Sequence, residues 1–93
     1  MVEEVLHQFG LEQNYPNPFN PATTISFVLP STLVVSLKVF DALGREVSVL
    51  LSERMPAGKY SQQWNAEGLP SGVYFYRLQV GSFSETKKLT LMK

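Results

Sequence analysis

Side chains able to do catalytic chemistry are few in this sequence. It contains one histidine, His7, one aspartate, Asp41, and no cysteine. A Ser-His-Asp triad would need both of those residues, and without cysteine there is no disulfide framework, thiolate zinc site or thiol nucleophile. The carboxylates Glu46, Glu53, Glu67 and Glu85 fall in turns or on outward strand positions, not in one short loop as calcium requires. The sequence therefore predicts a non-enzyme with no metal and no cofactor.

Aromatic side chains suggest a second chemistry, because their apolar faces can stack on sugar rings. The aromatic set that suggests a carbohydrate-binding module is Tyr15, Tyr60, Trp64, Tyr74, Phe75 and Tyr76. Several of these rings alternate with aliphatic neighbours, which favours a place in the core instead. Phe40 and Phe75 fall on the opposite, outward faces of their segments, so they are the better candidates for a contact surface.

Length and composition indicate one globular domain. The chain has 93 residues, 44% of them apolar and 12% aromatic. Its 8 basic residues balance its 8 acidic ones, so it lacks the positive field that draws proteins to nucleic acid. No run of about 18 apolar residues predicts a membrane span. The first residues, Met-Val-Glu-Glu, are acidic where a signal peptide is basic. If the protein is exported, we expect its signal peptide to lie elsewhere and this chain to be a piece of a larger protein.

Proline and glycine divide the chain into short segments of alternating polarity, which predicts an all-β fold. We expect an immunoglobulin-like antiparallel β-sandwich of about seven strands. Residues 1–13 are assigned to a linker that includes a possible first edge strand, and residues 14–93 to the domain. Six strands are predicted at 23–29, 33–40, 45–51, 59–65, 73–80 and 83–92, with a seventh near 9–14.

The same pattern predicts the core and two turns. Asp41 and Gly44 have the types and spacing of a tight hairpin turn. Tyr74 follows Pro70 as in the sandwich corner where a tyrosine hydroxyl bonds back to the preceding backbone. The predicted core is Ile25, Phe27, Leu29, Val35, Leu37, Val39, Val47, Val49, Leu51, Tyr60, Trp64, Tyr74, Tyr76, Leu78, Leu89 and Leu91.

Five sequence motifs together resemble the type-A C-terminal sorting domains of type IX secretion. They are QNYPNPFNPATTISF at 13–27, LKVFDALGREV at 37–47, AGKY at 57–60 with Trp64, LPSGVYFYRL at 69–78 and KKLTLMK at 87–93. The resemblance covers residues 9–93 in order. Phe40 stands where the family often has tyrosine, and Asn65 where an acid is common. A sandwich of flagellar hook-capping proteins shares the middle and late motifs.

The resemblance implies a removable sorting signal on an exported passenger protein. Such a domain docks on the type IX translocon, after which a sortase cuts it off and joins the passenger to the outer-membrane surface. The implied recognition residues are Gly72, Tyr74, Arg77, Lys87, Lys88, Leu89 and Lys93. Residues expected to be architectural are Asn14, Pro16, Asn17, Pro18, Asp41, Gly44, Gly58 and Trp64. The rival functions are the carbohydrate-binding module and a passive spacer without a partner. An exposed terminal strand could also pair with a second copy in a homodimer.

Overall fold

The computed structural model of the chain describes residues 9–93. Residues 1–8, which include His7 and most of the predicted linker, lie outside the described part. The remainder forms strands and turns without a helix. The strands are β1 (Gly10–Leu11), β2 (Ala22–Leu29), β3 (Leu33–Asp41), β4 (Glu46–Met55), β5 (Gly58–Asn65), β6 (Gly72–Val80) and β7 (Phe83–Leu91).

Two antiparallel sheets form the sandwich. One has the order β1-β2-β5, and the other has the order β4-β3-β6-β7. In an immunoglobulin constant domain the fourth strand extends the first sheet, whereas here β4 pairs with β3 and extends the second. The all-β, antiparallel sandwich predicted from alternation is confirmed, and the strand predicted near residues 9–14 is the two-residue β1, paired with β2.

The core lies between the sheets and follows the predicted alternation in most strands. Ile25, Phe27 and Leu29 of β2 face Val35, Leu37 and Val39 of β3, and all six are at most 1% exposed. In β6 the side chains of Tyr74, Tyr76, Leu78 and Val80 are buried in turn. Leu11, Phe19 and Ala66 are also buried, although the sequence pattern does not place them in the core.

Strand β4 departs from the prediction. The pairing of β3 with β4 shifts register between Leu37 and Lys38 and again between Val39 and Phe40. Each shift inserts an extra residue into β4, and such a bulge reverses the side that the following side chains face. Val49, predicted to point inward, is therefore 49% exposed, while Leu50 packs against the core beside Val47 and Leu51. The strand also runs on to Met55, so the loop predicted over 52–58 is short.

The turn between β3 and β4 has the predicted form. Asp41 Oδ1 accepts hydrogen bonds from the backbone N–H groups of Leu43 and Arg45, both at 2.9 Å. The Arg45 side chain donates to Asp41 Oδ2 at 2.8 Å. The backbone N–H of Arg45 contributes most to holding the pKa of the Asp41 carboxyl below its usual value. Gly44 has a φ of 86°, a backbone conformation that favours glycine.

Candidate recognition surface on the terminal hairpin

The terminal hairpin β6–β7 places the predicted recognition residues on different sides. Tyr74 and Leu89 are directly opposite each other, and both are buried in the core. Arg77 and Lys88 occupy the alternate positions, on the outer face of the four-stranded sheet. The sequence therefore combines residues that build the hairpin with residues that a partner can reach.

A tyrosine corner begins β6. The Tyr74 hydroxyl donates to the carbonyl oxygen of Pro70 at 2.6 Å, as the sequence predicts, and the Tyr74 ring meets Trp64 edge-on at 6.0 Å. Gly72, which lies between Pro70 and Tyr74 in the sequence, has a φ of 151°. The motif Pro-x-Gly-x-Tyr recurs at 56–60, where the Tyr60 hydroxyl donates to Pro56 at 2.6 Å. Gly72 and Tyr74 thus shape the corner.

We expect Tyr74→Phe to destabilise the domain by about 0.5–1.5 kcal/mol, the usual net contribution of one hydrogen bond. The loss should exceed that of Tyr60→Phe, because Tyr74 is buried and Tyr60 is only partly so. Urea unfolding of both variants measures the difference. A Tyr74→Phe variant as stable as the parent chain would contradict the corner's role.

Lys87 lies on the inward-facing side of β7. It is half-buried, and its Nζ lies 3.5 Å from Glu85 Oε2 on the same side. Charged residues that point inward on an edge strand discourage pairing with another strand. Lys93, at the end of the chain, donates its backbone N–H to Ser71 Oγ at 3.0 Å, so the terminus is held against the β6 corner.

Segment 13–19, the asparagine-proline segment, is built around a buried asparagine. Asn14 is 2% exposed, and its Nδ2 donates to Thr23 Oγ1 at 2.9 Å and to the Pro16 carbonyl oxygen at 3.2 Å. Its backbone N–H donates to the Tyr76 hydroxyl at 2.9 Å. That hydroxyl donates in turn to the carbonyl oxygen of Glu12 at 2.7 Å. The segment is thereby fixed to β2 and β6.

The Tyr76 phenol should make the domain less stable in alkali. Burial, with a smaller effect from Glu85, raises its pKa from 10.0 to about 12 against the opposing hydrogen bond from Asn14. Because the folded state binds this proton more tightly, the stabilisation is present below about pH 10 and is lost as the pH rises through about 12. Urea unfolding at stepwise pH should show this fall, and a smaller one in Tyr76→Phe. Equal falls in both proteins would contradict the prediction.

The same segment covers the outer edge of β7. Gln13 Nε2 donates to the Lys88 carbonyl oxygen at 2.7 Å, and Asn17 Oδ1 accepts from the backbone N–H of Thr90 at 3.0 Å. The backbone N–H of Phe19 donates to the Thr90 carbonyl oxygen, and the Phe19 carbonyl oxygen accepts from the N–H of Met92, both at 3.0 Å. Its ring is buried 5.7 Å from that of Trp64. The edge of β7 from Lys88 to Met92 is therefore occupied.

Comparison with known families identifies the family of this domain. Residues 13–92 match the family described as the secretion system C-terminal sorting domain. The chain belongs to this family. A search of curated proteins found no match. Both ends of the matched range belong to one hydrogen-bonded unit. Gln13, at its start, bonds to Lys88 of β7, and Met92, at its end, bonds to Phe19.

Membership settles the broad function. The sorting domain is a signal for type IX secretion, and its family is non-catalytic. Membership in this family implies contact with the secretion machinery, attachment to an upstream passenger, and export to the cell surface or the extracellular space. Among residues 9–93 there is no group of histidine, cysteine, aspartate or glutamate side chains that would hold a metal. No helix in that part of the chain is long and apolar enough to cross a membrane.

Most aromatic side chains of the sorting domain are packed against other residues and are not free to stack on a sugar. Trp64, Tyr74 and Tyr76 are at most 4% exposed, and Phe27 stacks on Tyr60 with ring centroids 5.4 Å apart. Tyr15, at 81% exposure, is the freest ring of the set suggested for sugar binding. A carbohydrate platform needs several accessible rings together, so the structure does not favour this alternative.

Proposed function

We propose that this chain is the signal by which a passenger reaches the type IX translocon, crosses the outer membrane, is released by a sortase and is attached at the surface. The observation that carries the proposal is the family match over residues 13–92. The fold supports it, because hydrogen bonds join the terminal hairpin to the asparagine-proline segment in one unit that a receptor can recognise before the passenger is cut free.

Within this proposal the recognition residues have three kinds of role. Gly72, Tyr74 and Leu89 hold the hairpin in shape through the corner and the core. Arg77, Lys88 and Lys93 present cations to the translocon, and Lys87 keeps the edge of β7 from pairing with other strands. A homodimer joined through the part of the edge from Lys88 to Met92 would have to displace residues 13–19.

Deletion of residues 87–93 tests the proposal. A reporter with a signal peptide is fused ahead of residues 1–93 and expressed in a type IX-competent cell. We expect the full fusion at the surface and the deleted one in the periplasm, because the deletion removes Lys87, Lys88 and two core leucines of β7. Deletion of residues 1–8, which lie outside the family match, is the matched control and should leave export intact. Export of the fusion that lacks 87–93 would refute the proposal.

A further inference from the structure

Positive charge gathers on the outer face of the four-stranded sheet. Strand register places Lys38 directly opposite Arg77, and Lys88, opposite Phe75, diagonal to Arg77. Among residues 9–93 the acid at the outward strand positions of this face is Glu46, whose Oε1 lies 3.3 Å from Lys38 Nζ. The whole chain has a net charge of zero, so this accumulation reflects placement and not composition.

Lys38 and Arg77 form a like-charge pair across β3 and β6. Like charges directly opposite in a sheet are destabilising, on the scale of roughly 0.2–1 kcal/mol per pair. The ion pairs of the described residues join Lys38 to Glu46, Arg45 to Asp41 and Lys87 to Glu85, and they leave out Arg77 and Lys88. The Arg77 guanidinium lies over the Phe40 ring, 4.6 Å from its centroid. The Glu46 ion pair and the Phe40 ring offset part of the repulsion between Lys38 and Arg77. A local rule that is broken in a structure tends to mark a functional site.

An apolar centre accompanies the cations. Phe40 and Phe75 are direct cross-strand partners on this face, both half-buried. With Arg77 and Thr86 they border a shallow open groove. Asp41 also borders this groove, and its carboxylate is paired with Arg45. Apolar centres with charged rims are typical of protein interfaces, in which arginine and aromatic side chains are enriched. The outer face of the other sheet differs, since among its paired β2 and β5 positions Lys59 is the charged one.

We propose that this face, defined by Lys38, Phe40, Phe75, Arg77 and Lys88, docks an acidic protein segment of the translocon; the inference rests on the proposed function. A partner carboxylate placed between Lys38 and Arg77 would turn their repulsion into charge-assisted hydrogen bonds. A partner apolar side chain would cover the pair Phe40 and Phe75.

Other polyanions fit this face less well. Headgroups of anionic lipids are recognised by clusters of about 4–8 cations, and nucleic acid by a row of phosphate contacts. Here Arg77, Lys88 and the partly neutralised Lys38 surround two phenylalanine rings. Arg54 is on the same sheet face but lies opposite Val34, four residues along β3 from Lys38. Few cations around an apolar centre favour a protein partner.

Charge reversal at Arg77 and Lys88, the two cations of the docking face that have no ion pair among residues 9–93, tests the proposal. The double variant Arg77→Glu, Lys88→Glu is placed in the reporter fusion of residues 1–93 and should lower the surface fraction about tenfold or more, because each change sets like charges against the partner. Lys59→Glu makes the same kind of charge change on the other sheet and should export normally. Circular dichroism and thermal unfolding of the purified chains establish that both variants fold.

The outcomes separate this inference from the proposed function. Normal export of the folded double variant, with the parent fusion exported, would overturn the docking face and leave the sorting function standing. Failure of the parent fusion to reach the surface would overturn both. Binding of the chain to vesicles of anionic phospholipid, abolished by the double variant, would replace the protein partner by a membrane surface and overturn the inference.

Discussion

Trp64→Ala should destabilise the domain by about 3–5 kcal/mol, the range typical of large aromatic truncations in a core. Trp64 is 4% exposed and contacts Tyr74 of the β6 corner and Phe19 of the asparagine-proline segment. Removing the indole therefore leaves a cavity where three parts of the chain meet. Domains of this size are stable by only about 5–15 kcal/mol, so the variant is expected near or below its unfolding threshold at 37 °C.

Thermal and urea unfolding measure the effect. Tyr15→Ala is the matched control, because this ring is 81% exposed and surface substitutions usually change stability by less than about 0.5 kcal/mol. A Trp64→Ala chain with the melting temperature of the parent would show that the indole does not support the core.

Asn14→Asp should be the next most damaging change, at about 3 kcal/mol or more. The substitution keeps the size of the side chain but replaces its N–H donors by a carboxylate, which is then buried against the acceptor oxygens of Pro16 and Thr23. A buried polar group left without its partner costs about 1–3 kcal/mol, and a charged group costs more.

Asn17→Asp is its matched control. Asn17 uses Oδ1 as an acceptor for the Thr90 N–H at an exposed site, and a carboxylate keeps that acceptor. We expect urea unfolding to separate the two variants clearly. Equal stability of both would mean that the hydrogen bonds around Asn14 do not hold the segment in place.

Most of the fold could be predicted from the sequence, because alternation reports which side of a strand is buried. It correctly predicts the buried faces of β2, β3 and β6, and the turn chemistry of Asp41 and the Tyr74 corner. Phe19 is the clearest omission. Its neighbouring prolines suppress any strand pattern, and its burial depends on contact with Trp64 and β7. The one available signal is an aromatic ring in a polar, proline-rich run.

The candidate site could be predicted only in part. Alternation already separates Arg77 from Tyr74, and Lys88 from Leu89. The proximity of Lys38 to Arg77 depends on the pairing of β3 with β6, two strands that are not consecutive, and no local pattern encodes that pairing. The prediction that Val49 points inward is wrong for a related reason, because the bulges in β4 arise from its pairing with β3.

The most direct measurement of the central claim compares two hosts. The fraction of a reporter fused ahead of residues 1–93 that reaches the cell surface is measured in type IX-competent cells and in the same cells without the translocon. A sorting domain of type IX secretion should deliver most of the reporter in the first host and retain it in the periplasm in the second. Equal surface fractions in the two hosts would contradict the assignment.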